Sequence, residues 1–225
     1  MATPVTLESP AQVSDLYLAR GADDLSTFVS RPVFTGDIFE LGSSRIVALV
    51  QHPCAMRRGT ELSPKLLICG TKELAQYPTN WSKGHFRRMF LPEILGNDLS
   101  IEFDDLDVIS REEILAAKRI AILTETGVNL LVQRWLHHNS RVIVPTITIH
   151  AQTTGPFEEA DLTGEAVDDL IELGQLAEEA VRIVDEWLGQ SHLGTGPSRR
   201  EMLNEPQSRG TIRSALRRHV REFVL

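Results

Sequence analysis

Cysteine is scarce: Cys54 and Cys69 are the only two in 225 residues. Two thiols make no disulfide framework and fall short of a four-thiolate zinc site, so the expected setting is a reducing cytoplasm. Long hydrophobic runs are also missing. No apolar stretch approaches the roughly 18 residues a membrane helix needs, and no membrane is expected. Met1 to Pro10 carries neither a basic nor an apolar segment, which argues against a secretory leader. The chain has no glycine-rich phosphate loop, no Gly-x-Ser-x-Gly elbow and no His-Glu-x-x-His pair. His137, His138 and His150 come nearest to a metal set, but neighbouring histidines on a helix point about 100° apart. No metal and no cofactor are expected.

What is present is the content of a globular protein, 42% hydrophobic with a net charge of −8, so disorder is not the default. The charge is segregated. Residues 151–190 hold 11 acids and one arginine, whereas 191–225 hold seven arginines and three acids. An acidic chain binds nucleic acid poorly without a local basic surface. The basic C-terminal segment either supplies that surface or docks on the acidic helix beside it, and both readings stay open.

The pattern divides the chain into a lead-in (1–30), a β-rich domain with a closing helix (31–150) and a helical extension (151–225). In the lead-in, Val13 to Leu18 is a short amphipathic piece. Ile38–Leu41 follows the Gly36-Asp37 turn, and Ile46 to Val50 is continuously apolar, the signature of a strand buried on both faces. Further strands are expected at Lys65–Cys69, His85–Leu91 and Leu99–Phe103; Arg119–Leu123 reads either as a strand, which is favoured, or as a continuation of the helix before it. Asp104, Asp105 and Asp107 read as a strand-to-helix turn. Ser110-Arg111-Glu112-Glu113 is a capping box opening a short helix. Val128 to His138 carries an apolar stripe of helical period, and Arg141 to Ile149 reads as a last β-rich segment interrupted at Pro145. In the extension, an acidic helix is expected over 162–188 and a basic one over 211–224. Irregular strands with a closing helix favour a small open barrel, an α+β protein, over a doubly wound sheet.

The chemistry concentrates in Gln51-His52-Pro53-Cys54-Ala55-Met56-Arg57-Arg58-Gly59, delivered by the apolar strand before it. Cys54 is either a nucleophile, activated by Arg57 and Arg58 with His52 or His85 as base, or a packing residue at a strand end. Cys69, within an apolar strand, reads as core. Arg57, Arg58 and Lys65 suit an anion or phosphate clamp, with Gly59 allowing close backbone approach, or they form a solvated loop beside Glu61. Trp81 to Arg88, with His85, Phe86, Arg87 and Arg88, has the aromatic and basic composition used to hold single-stranded nucleic acid; packing is the alternative role for Trp81 and Phe86.

Thr35-Gly36-Asp37-Ile38-Phe39, with the strand leading to His52-Pro53-Cys54, resembles the opening of PemK/MazF-like toxins over residues 31–138. The resemblance implies an SH3-type barrel with a closing helix and an endoribonuclease acting on single-stranded RNA. The chain departs from the family pattern where that family keeps its catalytic residues: its Arg-Pro-Val, at Arg31, precedes the Gly-Asp, and Cys69-Gly70-Thr71 stands where a Thr-Ser pair is expected. The expectation is a cytoplasmic bacterial toxin-like or antiphage-defence protein that binds or cleaves RNA or another phosphodiester. The alternative is a non-catalytic adaptor that recruits a protein partner in such a complex. A cysteine-dependent enzyme is a third reading.

Overall fold

The computed structural model describes residues 6–42, 44–58 and 61–224. Its strands are β1 (Tyr17–Ala19), β2 (Ile38–Glu40), β3 (Ile46–Leu49), β4 (Arg57–Arg58), β5 (Glu61–Leu62), β6 (Lys65–Leu74), β7 (Arg88–Ile94), β8 (Asn97–Ser110) and β9 (Lys118–Leu123). Its helices are α1 (Ala22–Leu25), α2 (Pro53–Met56), α3 (Arg111–Ala116), α4 (Glu125–Ser140), α5 (Thr146–Glu172), α6 (Ala177–Gly189), α7 (Arg199–Met202) and α8 (Pro206–Arg221). Residues 1–5, Ser43 and Gly59 lie outside the described residues, as does the side chain of Arg58.

Seven strands form one antiparallel sheet in the order β1-β9-β2-β3-β6-β8-β7, while β4 and β5 pair separately. The sheet curls into a half barrel, so the protein is α+β, as the pattern predicts. The continuously apolar run explains its centre: Val47, Ala48 and Leu49 on β3 are completely buried. On one face Phe39, Val47, Leu49, Leu66 and Ile68 pack with Met56, Ile109 and Ile114. The turn before β2 rests on a buried carboxylate. Asp37 accepts from the Phe34 amide at 2.9 Å, and Arg119 Nε lies 3.3 Å from its Oδ2.

The chain clusters into two compact units: residues 1–26 with 33–153, and 27–32 with 154–225. In the second, α5, α6 and α8 share a core containing Leu170, Val184, Leu188, Ile212 and Leu216. Arg213 pairs with Glu158 at 3.2 Å and Glu165 at 2.7 Å, and Arg217 reaches Glu165 at 3.4 Å. The basic helix therefore docks on the acidic one through both apolar and charged contacts. Arg31 belongs to this unit, buried, with its Nε 3.0 Å from Asp161 and its guanidinium over the Phe157 ring.

Several elements differ from the sequence pattern. Part of the lead-in joins the sheet, because Tyr17 and Ala19 pair with Leu123 and Ile122 at its edge. The aspartates form no turn: β8 continues through Asp104, Asp105 and Asp107 to Ser110, with a bulge opposite Cys69 and Thr71. The Ser110–Glu113 capping box is present as expected. The β-rich segment expected at Thr146–Ile149 is instead the first turn of α5. Its strand-favouring side chains are overridden because Glu8, distant in sequence, accepts from the Thr146 amide at 2.7 Å and caps the helix from outside. The helix expected over 162–188 is two, α5 and α6. Gly174, at φ +92°, takes the left-handed conformation that ends α5, and its amide bonds the Ile171 carbonyl. Among the described residues, no helix is long and apolar enough to cross a membrane.

Candidate functional site

Strand β3 delivers the His52–Arg57 loop to one end of the sheet, where Val50 bonds the Leu67 carbonyl. Each polar group there has a local task. Gln51 accepts from Leu67 N at 2.9 Å and donates to Ala55 O at 2.5 Å. His52 caps α2, its Nδ1 accepting from the Cys54 amide at 3.3 Å. Burial pushes the His52 imidazole below its ordinary pKa and so favours the neutral ring. The Cys54 thiol is exposed and lies 3.9 Å from the carbonyl oxygen of Gln152. Arg57 donates to Val33 O at 3.1 Å, and Lys65 is exposed at the start of β6, opposite Ser110. Cys69 is completely buried, as expected of a core thiol, and burial with the nearby Asp105 charge pushes it up to about 12.

The second group of expected site residues lies elsewhere on the sheet. Arg88 pairs with Glu102 on β8, whose neighbour Ile101 pairs with Thr71 on β6. Thr71 is four residues along β6 from Leu67, about 13 Å at the rise of a strand. β7 is also separated from β3 by β6 and β8. His52 and Cys54 therefore do not share a site with His85, Arg87 and Arg88. His85 is held below its ordinary pKa by burial, with Arg134 and Arg88 adding to the effect. Its ring sits edge-on to Phe90. Arg88 is tied to Glu102 at 3.2 Å.

Around this second group lies a surface that the sequence only half disclosed. Phe86 is 45% exposed. Arg87 stands 5.4 Å from its ring centroid, and Arg141, from the end of α4, stands 5.0 Å from it. Lys83 is exposed on the same loop, and Tyr77 packs edge-on against Trp81. Among the described residues, no carboxylate pairs with Arg87, Arg141 or Lys83. The loop is held by α4: His138 Nδ1 is 2.8 Å from Phe86 O, and Arg134 donates to Ser82 O at 3.1 Å. Arg134 is 1% exposed, its pKa pushed down to about 10 by burial. Sequence reasoning missed Arg134 and Arg141. Neither is close to the loop in sequence, and a lone arginine on a helix carries no signal of what it touches.

Among the described residues, no three His, Cys, Asp or Glu side chains are placed to hold a metal ion. Comparison with protein-family models finds no match to this chain, and comparison with curated proteins finds none either.

Proposed function

We propose that the protein binds single-stranded RNA, or a similarly flexible phosphodiester, at the Phe86 surface, on a PemK/MazF-like small barrel in a toxin-like or antiphage setting. The observation that carries this reading is an exposed phenyl ring flanked by Arg87 and Arg141, neither paired with a carboxylate among the described residues. A phenyl face stacks on any base, and guanidinium forks suit phosphate oxygens. A single strand is favoured over a duplex because its bases can splay onto such a ring. The curled antiparallel sheet and the Gly36-Asp37 turn support the small-barrel reading. Binding is favoured over cleavage: His52 caps a helix, Cys54 faces a carbonyl, and His85 lies along a different part of the sheet. Fluorescence anisotropy with a short labelled single-stranded RNA tests the proposal. Wild type should bind at low salt, and Phe86→Ala and Arg141→Glu should each weaken binding roughly tenfold. Absence of binding, or binding unchanged in both variants, rejects it in favour of the adaptor reading.

A further inference from the structure

The two outermost strands of the seven-stranded sheet are guarded. β1 is three residues long, and β7 carries Pro92, which has no amide to donate, within the bulge between Leu91 and Ile94. The second half of β8 has neither protection. Its ladder with β7 stops at Glu102, and the Phe103 amide makes the last bond, to the Arg87 carbonyl at 2.9 Å. From Leu106 to Ser110 the strand pairs with β6 and, among the described residues, with no strand on its other side. The ladder fixes where the free groups point. Val50 bonds the Leu67 carbonyl, so Leu67 faces β3, and its neighbours Leu66 and Ile68 face β8. Their partners Ile109 and Asp107 therefore turn their backbone groups to β6, and those of Leu106 and Val108 point outward. The Val108 amide is taken by Asp107 Oδ1 at 2.8 Å. The Leu106 amide and the Leu106 and Val108 carbonyls have no partner among the described residues. Both side chains are also open to solvent, Leu106 46% and Val108 53% exposed. They share one face of the strand, with Asp107 on the other.

Charge selects the occupant. Asp104, Asp105 and Asp107 are exposed along this edge. Arg45 is shared between Asp105 at 3.6 Å and Asp107 at 2.9 Å, and His138 Nε2 lies 3.6 Å from Asp104. Three carboxylates against one guanidinium leave the edge acidic. A second copy of the chain would set like charges opposite each other. We propose that residues 104–108 dock an extended, basic segment of a partner protein, which adds as a strand beside β8. Its backbone bonds the free groups of Leu106 and Val108, its apolar side chains cover those two residues, and its cations meet Asp107 and the neighbouring aspartates. The inference is independent of the RNA reading and stands or falls without it.

Fluorescence anisotropy on the full chain tests it, with a short labelled peptide of alternating lysine and valine as the probe. Two comparators separate the contributions: the same peptide with glutamate in place of lysine, and the lysine peptide with every backbone amide methylated. The lysine peptide should bind, and both comparators should bind at least about tenfold more weakly. Leu106→Lys and Val108→Lys, each at an exposed position, should each weaken binding by a similar factor while leaving the melting curve unchanged. Sedimentation of the unliganded protein completes the test and should show a monomer at this edge. The proposal is overturned if the lysine peptide does not bind, if the methylated peptide binds equally well and so reports charge alone, or if both lysine variants bind as wild type does. It is also overturned if wild type self-associates and Leu106→Lys abolishes the association, which would make the occupant a second copy.

Discussion

The sulfur of Cys54 lies 3.9 Å from the carbonyl oxygen of Gln152, four residues before Pro156 in the interior of α5. Proline has no amide hydrogen, so it leaves the Gln152 carbonyl without its helical partner. The Cys54 thiol is a weak donor placed where that partner is missing. This accounts for Cys54 as a structural neighbour of a helix defect and gives it no base.

Replacing Pro156 with Ala restores the amide. Pro156→Ala should stabilise the protein by about 1–3 kcal/mol, read as a higher urea midpoint with an unchanged slope. A neutral or destabilising result would show that the proline ring packs too well to be removed. In native protein, iodoacetamide should label Cys54 alone, with Cys69 reacting only in denaturant, because Cys69 is completely buried. Mass spectrometry counts the adducts; a second native adduct would contradict the buried placement of Cys69.

Gly127 offers a test in which propensity and packing oppose each other. It lies in the first turn of α4, where a Cβ would come within 2.5 Å of the Leu16 carbonyl oxygen. That oxygen also accepts from the Thr124 amide, so it is not free to retreat. Ala is the better helix former by about 1 kcal/mol, yet Gly127→Ala should destabilise by about 1–3 kcal/mol through overpacking. Thermal and urea unfolding decide the sign.

Stability should fall on acidification in two windows. His52 and His85 have native pKa values below the ordinary 6.5. As pH falls below that value, the unfolded chain takes up protons before the folded one does. The stabilisation is therefore complete above 6.5 and is lost as pH drops toward the native values. Glu8, held below 4.5, adds stability that is present above 4.5 and lost as pH falls through its native value. Urea midpoints measured between about pH 7.5 and 5.5 should decline, and His85→Gln should flatten the decline. A flat wild-type profile would refute the placement of both rings.

For the RNA surface, salt dependence separates charge from stacking. Removing one phosphate-contacting cation should reduce the slope of log affinity against log salt by about 0.7 on a single strand. Arg87→Ala should show that change, whereas Phe86→Ala should lower affinity and leave the slope alone. Equal slopes in all three proteins would place the contact elsewhere.

Much of the sheet could be read from the residues. The apolar stretch from Ile46 to Val50 marks a strand covered on both faces, and Ser110 and Glu113 cap their helix as their spacing predicts. Thr146 to Ile149 misled, because four β-branched residues favour a strand until a carboxylate from Glu8 caps them as a helix. The candidate site was legible only in part. The loop from Trp81 to Arg88 carries its aromatic and basic character in the sequence, but the partner cation Arg141 comes from the far end of a helix.

The sequence by itself determined which segments are apolar enough to be core, that Ser110 and Glu113 cap one helix, and that acidic and basic segments are kept apart. Only the tertiary structure decided which cations are already engaged. Arg213 and Arg217 lie against Glu158 and Glu165, Arg88 is tied to Glu102, and Arg57 to a backbone carbonyl, while Arg87 and Arg141 flank an exposed ring. The reason is geometric. A guanidinium finds its partner within a few ångströms in space, and the strand register and helix docking that bring partners together are set by burial of the whole core, not by any local run of residues.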